Sequence, residues 1–277
     1  MTIALFYTWD IIMISKNMIK EKLQELFNFR YMYYSLVKRS LSGKYKNSTL
    51  GFLWNFLTPA ISILLFYLVF ENFMGRDIPH YWAYLCVGMF PFQFMNTNLI
   101  GGASNITSNG GMIKKIYFPR EILPLSQVTY TFIVFLIAYA IVAILMLVTG
   151  SPLSSDGLLA LPLIIITMFL FSLGMILFTS AISVYSRDFE YLITALARIL
   201  FWVTPIFYMA ETLTGVLSKI IWFNPLTYYV EGLHKILYWG EMPSTELLIA
   251  CIAISTVAFL VGVCVFEKLK DGFSERI

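Results

Sequence analysis

The chain has 277 residues, of which 59% are apolar and only 13% are charged, and its mean hydropathy is +0.77. Soluble domains carry about 25% charged residues, so a water-exposed globular protein is excluded and the surplus apolar area requires lipid as its solvent. The net charge of +3 reflects an uneven distribution of basic residues along the chain and does not indicate nucleic-acid binding.

An amphipathic helix is predicted within the first 50 residues. Its apolar positions recur at spacings near three and four, and its charged positions lie largely elsewhere on the helical wheel. We expect it to lie along the inner membrane face with its basic groups toward anionic headgroups; the alternative is a short soluble helix that packs on nothing in particular. The apolar positions are Ile19, Leu23, Leu26, Tyr34, Val37 and Leu41.

An all-α integral membrane fold is predicted for the rest of the chain, 51–277, as one domain. Helices satisfy their own backbone hydrogen bonds in lipid, and about 20 residues cross the hydrocarbon. The segment LIIITMFLFSLGMILF does not alternate as a transmembrane β-strand would. Six spans are predicted, at approximately residues 52–73, 82–100, 124–148, 158–184, 191–209 and 246–266.

Two short apolar pieces, about 212–223 and 226–239, lie between the fifth and sixth spans and are divided by Asn224-Pro225. Neither piece is long enough to span, and Pro225 interrupts a single helix through both. We therefore expect two short re-entrant or interfacial helices on the outer side, because irregular backbone at membrane depth must be buried in protein or line a wet cavity.

Basic residues indicate the orientation of the spans. With a cytoplasmic N-terminus, the inner side collects 15 of the 19 Lys and Arg residues, and the positive-inside rule then places both termini in the cytoplasm of a multi-pass cell-membrane protein. The inner residues are Lys16, Lys20, Lys22, Arg30, Lys38, Arg39, Lys44, Lys46, Lys114, Lys115, Arg120, Arg187, Lys268, Lys270 and Arg276. Arg76, Lys219 and Lys235 are expected outside, and Arg198 lies within a span.

No catalytic, metal-binding or cofactor-binding motif is apparent. The segment SLSGKYK lacks the upstream glycine of a nucleotide-binding loop and has Tyr45 where Ser or Thr must reach magnesium. His80 and His234 are far apart, with no Cys or carboxylate array at metal spacing. We therefore expect no enzyme and no cofactor, with the energy supplied by another chain or by an ion gradient.

Three segments resemble the permease subunits of type-2 ABC transporters that export lipid-linked polysaccharides such as O-antigen, capsule or teichoic acid. They are NSTLGFLWNFLTPAISILLFYLVF, GMIKKIYFPREILPLSQV, and SRDFEYLITALARILFWVTPIFY with WFNPLTYYVEGLHKILYWGEMP. The resemblance covers about residues 30–277 and implies two permease chains around a central path, two separate ATPase subunits, a lipid-linked polysaccharide substrate and contact with membrane lipid.

In such permeases, cytoplasmic loops carry short coupling helices that fit clefts on the ATPases. The resemblance places the first at Asn109 to Glu121, where we expect Gly110-Gly111 to free the chain and Pro119 to stop a short helix; the alternative is a solvated loop that only sets topology. The implied docking residues are Met112, Ile113, Lys114, Lys115, Tyr117, Phe118, Pro119 and Arg120, and then Arg187, Asp188, Phe189 and Glu190 after Ser186. The alternative for the second group is a tight connection with an N-cap aspartate.

A glycan path is expected to be lined by aromatic and small polar side chains, although membrane proteins also place aromatic residues in interfacial belts. Arg198 is expected either to face the dimer interior, toward a lipid-carrier pyrophosphate, or to snorkel to the inner headgroups. The predicted path residues are Trp54, Phe56, Arg198, Phe201, Trp202, Phe207 and Tyr208. The predicted outer gate comprises Asn224, Pro225, Tyr228, Tyr229 and His234, the last at a position where the family commonly has arginine.

The predicted function is therefore the dimeric membrane permease of an ATP-driven exporter of lipid-linked polysaccharide. A type-2 ABC permease for a drug, peptide or lipid is the first alternative. A membrane-embedded transferase is the second, and it would require a clustered His/Asp or carboxylate constellation facing a cavity.

Overall fold

The protein is described by a computed structural model over residues 21–22, 24–43, 50–74, 78–149 and 157–277. Every regular element within these ranges is a helix. The α-helices are α1 (Arg30–Gly43), α2 (Trp54–Met74), α3 (Tyr81–Ser108), α4 (Gly110–Ile113), α5 (Ile122–Val148), α6 (Leu161–Tyr185), α7 (Asp188–Val203), α8 (Gly215–Phe223), α9 (Pro225–Leu233), α10 (Thr245–Leu269) and α11 (Phe273–Arg276). Single 3₁₀ turns lie at Gly51–Leu53, Gly157–Leu159, Ala210–Thr212 and Lys270–Gly272, and a π-helical turn lies at His234–Trp239.

Three helical stretches in the described ranges are long and apolar enough to cross a membrane, namely Ile122–Val148, Gly157–Tyr185 and Thr245–Arg276. They coincide with the predicted third, fourth and sixth spans. The predicted first, second and fifth spans coincide with α2, α3 and α7, and their passage through a membrane stays a prediction. The all-helical fold with these three apolar helices is consistent with an integral membrane protein.

The predicted fifth span, residues 191–209, extends beyond the C-terminal end of the observed helix α7. Helix α7 ends at Val203, and Thr204 has extended backbone with φ −80° and ψ 133°. The reason is Pro205, since a proline disfavours helical backbone at the residue before it. Residues 204–209 therefore continue as irregular chain, which places Phe207 and Tyr208 beyond the helix end.

A proline inside α3 is compensated by a tyrosine of α5. Pro91 has no backbone N–H, so it cannot bond the carbonyl of Val87 one turn earlier. The hydroxyl of Tyr139 donates to that carbonyl at 2.9 Å, and the Tyr139 side chain is buried. In an apolar interior an unpaired carbonyl is costly, so this bond allows α3 to keep a proline in the middle of a 28-residue helix.

Helices α6 and α10 approach until their backbones touch. A Cβ atom on Gly262 would lie 2.1 Å from the carbonyl oxygen of Gly174, and one on Gly174 would lie 2.3 Å from that of Ala258. Ala258 and Gly262 are four residues apart and therefore share one face of α10. This pair has the small-xxx-small spacing that lets helices pack closely in lipid.

Helix α1 packs on the helical bundle, so the alternative of a helix that packs on nothing is wrong. Leu36 is buried in a cluster with Phe266 and Phe273, and Val37 is also buried. The hydroxyl of Tyr33 donates to Thr129 at the start of α5, with an O–O distance of 2.8 Å. Of the predicted apolar face, Val37 is buried, Leu26 and Leu41 are half-buried, Tyr34 is exposed, and Ile19 and Leu23 lie outside the described residues.

The predicted pair of short helices is present as α8, α9 and the turn His234–Trp239, together called hairpin 215–239. Asn224 separates the two helices and caps α9, because its side-chain oxygen accepts from the N–H of Leu226 at 3.0 Å. Pro225 follows at the first position of α9, where a missing N–H costs nothing. The depth of this hairpin in the membrane stays a prediction.

Candidate functional site

The segment that joins α3 to α5, called loop 110–121, begins with helix α4 at once. Gly110 and Gly111 lie inside that helix, and α4 ends at Ile113, six residues before Pro119. The predictions that the glycines free the chain and that Pro119 stops the helix are therefore wrong. Pro119 instead lies in the turn that leads into α5, where its carbonyl accepts from the N–H of Ile122 at 3.1 Å.

Loop 110–121 presents one face to solvent and one to the protein. Tyr117 is 82% exposed and Ile116 is 52% exposed, and the lysines between them and α4 are also exposed. Ile113, Phe118 and Pro119 are buried. An exposed ring and an exposed aliphatic side chain beside two lysines form the surface that a partner would meet first. The exposed set is Lys114, Lys115, Ile116 and Tyr117.

Arg120 is engaged inside the chain. Its guanidinium donates to the carbonyl of Lys270 and, at 2.6 Å, to the hydroxyl of Ser274, and it lies 5.8 Å from the ring centroid of Phe273. These partners belong to the segment after α10, and Ile277 at its end contacts Gly110. The segment 270–277 therefore packs against the protein-facing side of loop 110–121 and supports it; these contacts are called the brace.

A carboxylate beside Arg120 completes this brace. Glu121 forms an ion pair with Lys22 at 2.7 Å and with Lys270 at 3.3 Å, and Lys22 also pairs with Glu267. Burial alone would raise the pKa of the Glu121 carboxyl, but its bond to Lys22 and the charges of both lysines hold that pKa below its usual value. The network stabilises the loop above the usual pKa of glutamate and weakens only as pH falls through the lowered value.

The second predicted docking group lies in the turn between α6 and α7. Arg187, Asp188 and Glu190 are exposed, and Phe189 is half-buried against Phe178 with ring centroids 6.3 Å apart. Asp188 is the first residue of α7 and not its N-cap, and the flanking Arg187 makes no side-chain cap. The alternative is therefore wrong about the N-cap aspartate, although the predicted tight connection is present between Tyr185 and Asp188.

This turn borders the same brace as loop 110–121. Tyr185 donates through its hydroxyl to the carbonyl of Leu269 at 2.9 Å, and its ring centroid lies 5.4 Å from the guanidinium carbon of Arg276. The segment 270–277 thus contacts loop 110–121 and also Tyr185, the last residue of α6 before the second docking group.

The predicted path residues divide into two sets. Phe201, Trp202, Phe207 and Tyr208 form one aromatic cluster, and Phe66 of α2 stacks on Phe207 with centroids 5.8 Å apart. In that cluster Phe207 is buried and Trp202 is 57% exposed. Trp54 and Phe56 lie at the start of α2, half-buried and outside the cluster.

Arg198 is exposed on α7 and forms no ion pair with any residue in the described ranges. The buried residues of α7, Ile193 and Ala197, pack on Leu99 of α3. The arginine therefore projects away from the chain's own core, which leaves both predicted roles open.

The predicted gate residues hold hairpin 215–239 against the other helices. Asn224 donates to the hydroxyl of Thr204 at 2.8 Å, and the ring of Tyr229 is fully buried beside Phe171. Pro225 and Tyr228 are half-buried at the hairpin surface. Three of these five side chains, including His234, are therefore packing residues of the hairpin.

His234 joins the hairpin to the start of α3. The imidazole stacks on the ring of Tyr84 with centroids 3.8 Å apart, and its Nε2 lies 3.0 Å from the Tyr84 carbonyl oxygen. Because a carbonyl only accepts, Nε2 carries the proton in this arrangement. A Cβ on Gly88 would lie 2.8 Å from Nε2, so a glycine makes room for the ring.

A polar cavity that sequence reasoning missed lies between α2, α3 and α5, with a volume of about 160 Å³. Tyr130 donates to the side-chain oxygen of Asn55 at 3.1 Å, and Thr131 donates to that of Asn98 at 2.9 Å. The signal was the recurrence of amides and hydroxyls in otherwise apolar helices, which marks protein-facing or water-facing positions in lipid. Its polar lining residues are Asn55, Thr58, Ser62, Gln93, Thr97, Tyr130 and Thr131.

Comparison with known proteins identifies the family of this chain. Residues 31–238 match the family described as "ABC-2 type transporter". The chain belongs to the ABC-2 type transporter family. This ABC-2 chain is 29% identical over 256 residues to the O-antigen export system permease protein RfbA of Myxococcus xanthus, covering 92% of the chain and 98% of the relative.

A second relative, the protein of the same name from Klebsiella pneumoniae, is 28% identical over 252 residues, covering 90% of this chain and 97% of its own length. The predicted family resemblance is confirmed. The family match over residues 31–238 includes loop 110–121, α7 and all of hairpin 215–239 except its last residue, and it ends before α10.

Proposed function

We propose that this chain is the membrane permease subunit of an ATP-driven exporter of lipid-linked polysaccharide of the O-antigen, capsule or teichoic acid type. The observation that carries the proposal is the similarity, along nearly the full length of both chains, to permeases named for O-antigen export. Membership of a transport family and the apolar helices agree with it.

In this proposal the chain crosses the cell membrane six times with both termini inside, and residues 1–50 precede the six-span domain. Two copies of the chain surround the path, and two copies of an ATPase subunit bind from the cytoplasm. Hydrolysis takes place in the ATPase, and this chain transmits the resulting movement to its helices. The fifteen inner basic residues and the apolar helices support this topology.

Loop 110–121 and the turn 187–190 are the proposed docking surfaces for the ATPase. In the first loop, the exposed Ile116 and Tyr117 supply the apolar anchor and Lys114 and Lys115 supply charge steering. Arg120 and Glu121 hold the loop from inside, because their partners belong to this chain. Their contribution to docking is therefore positional.

The path is proposed to run between two copies of the chain, along the face of α7 that carries Arg198 and Trp202, both exposed in the single chain. A charge within a span is costly unless it is hydrated or paired, so this face requires a second protein surface or water. Hairpin 215–239 lies at the opposite end of α3 from loop 110–121 and is the proposed exit side.

Co-purification tests the docking surface. In cells that express the tagged chain with its ATPase, Tyr117→Ala combined with Lys114→Glu should reduce the co-purified ATPase at least roughly tenfold, because an aromatic anchor and a steering charge are lost together. Phe223→Ala combined with Lys219→Glu is the matched control, since these residues are exposed on hairpin 215–239.

The control pair should retain the ATPase and support glycan export. If both double variants reach wild-type levels in the membrane and retain the ATPase equally, the docking assignment is wrong. The unsubstituted chain and its ATPase should restore export in a strain that lacks its own exporter. Failure to restore it would show that the proposed function is wrong.

A further inference from the structure

A buried carboxylate in hairpin 215–239 has an oxygen that no described group satisfies. Glu231 of α9 is only 6% exposed, and its Oε1 has no hydrogen-bond partner among the described residues. The carboxylate does face one donor, the backbone N–H of Ala210. Buried polar groups are almost always hydrogen-bonded, so the free acceptor points to a hydrogen-bond donor that the described residues do not supply.

Glu231 lines two cavities, of about 260 Å³ and about 500 Å³, that share Glu211, Glu231 and Lys235. These two cavities are called the hairpin cleft. Lys235 is committed within the chain, since its amine pairs with Glu211 at 3.3 Å. Glu241 borders the smaller cavity and Glu246 the larger one.

The charge of the hairpin cleft restricts its ligand. Among the described lining residues, four carboxylates face a single lysine, so a phosphate or another acidic group would be repelled. A metal ion is also disfavoured, because no group of three or more His, Cys, Asp or Glu side chains within the described ranges could hold one. The remaining ligands are donors of hydrogen bonds, either hydroxyls or amines.

Aromatic side chains give the hairpin cleft a second kind of contact. Trp222 and Tyr228 line the larger cavity with ring centroids 5.4 Å apart, and Trp239, 42% exposed, lines the smaller one. Flat rings beside carboxylate acceptors suit molecules that have both apolar C–H faces and hydroxyls. Sugars have this combination.

We propose that the hairpin cleft binds neutral or amino sugar units of the exported glycan, with Glu231 Oε1 accepting a hydroxyl or ammonium hydrogen bond. The proposal rests on the proposed function and narrows its substrate to glycans without dense acidic groups. The cleft lies at the end of the helical bundle opposite loop 110–121, because hairpin 215–239 packs on the first turn of α3. It is therefore placed to hold the glycan as it leaves the path.

Photo-crosslinking in glycan-producing cells tests this site with the full transporter and the cell's own glycan as the probe. p-Benzoylphenylalanine is placed at position 228, which lines the cleft, and in a control at position 223, where Phe223 is 89% exposed and lines neither cavity. Irradiation should attach glycan at position 228 several-fold more than at position 223. Adding Glu231→Gln should lower the yield at position 228 several-fold, because the amide oxygen of glutamine is a weaker acceptor than a carboxylate.

Equal yields at the two positions, or a yield that Glu231→Gln leaves unchanged, overturn the proposal. Captured glycan rich in uronic acid or phosphate overturns it as well. Membrane levels and ATPase co-purification of each variant exclude misfolding as the cause of a lower yield. Export by the unsubstituted chain is scored in the same cells, so that failure of the cleft with intact export is distinguished from failure of the proposed function.

Discussion

The hydroxyl of Tyr139 has one structural task, which is to satisfy the Val87 carbonyl that Pro91 leaves free. Tyr139→Phe should lower the free energy of unfolding by about 1 kcal/mol, the range measured for such bonds in bilayers. The cost should largely vanish when Pro91→Ala is added, because residue 91 then donates its own N–H to Val87.

A double-mutant cycle on the detergent-purified chain, read by thermal unfolding, measures this coupling. Tyr191→Phe is the matched control, since Tyr191 is 75% exposed and should tolerate the change. Equal destabilisation by Tyr139→Phe with and without Pro91 would contradict the assignment. The bond itself was beyond sequence reasoning, because nothing in the spacing of Pro91 and Tyr139 shows that α3 and α5 place them together.

Helices α6 and α10 depend on the absence of side chains where they touch. Gly262→Ala places a methyl group 2.1 Å from the Gly174 carbonyl oxygen, so the helices must separate at a cost of about 1–3 kcal/mol. Thermal unfolding should shift down by several degrees. Gly111→Ala is the control because its Cβ would have nothing within 4 Å, and a similar loss there would refute close packing as the cause.

At this scale the sequence predicts elements well and their partners poorly. The length of the apolar stretches predicted the positions of α2, α3, α5, α6 and α10. The dipeptide Asn224-Pro225 predicted where the hairpin divides into two helices. Local chemistry failed where tertiary packing decides: Pro119 lies in the turn before α5 instead of ending α4, and Arg120 bonds to the segment 270–277. Glu231 was missed, although a carboxylate in the apolar run YYVEGL is itself a signal of function.

The topology of the whole molecule can be tested by chemical labelling. With Cys86, Cys251 and Cys264 replaced by serine, a single Lys115→Cys should react with an impermeant maleimide only in inside-out vesicles. Lys219→Cys, also exposed, should react only in intact cells or spheroplasts. Labelling of position 115 from outside would place loop 110–121 away from any cytoplasmic ATPase and refute the exporter.

Helix α3 has 28 residues, which corresponds to about 42 Å at 1.5 Å per residue. Its last turn passes directly into α4, and its first turn carries the tyrosine on which His234 lies. Loop 110–121 and hairpin 215–239 are thus attached to the two ends of one long helix. The hydrogen bond from Tyr139 stabilises this helix at Pro91, where the helical hydrogen bond is missing. In the proposed topology, an ATPase that pushes on the loop end of α3 would therefore shift the hairpin end by the same distance, with no relay of side chains between them.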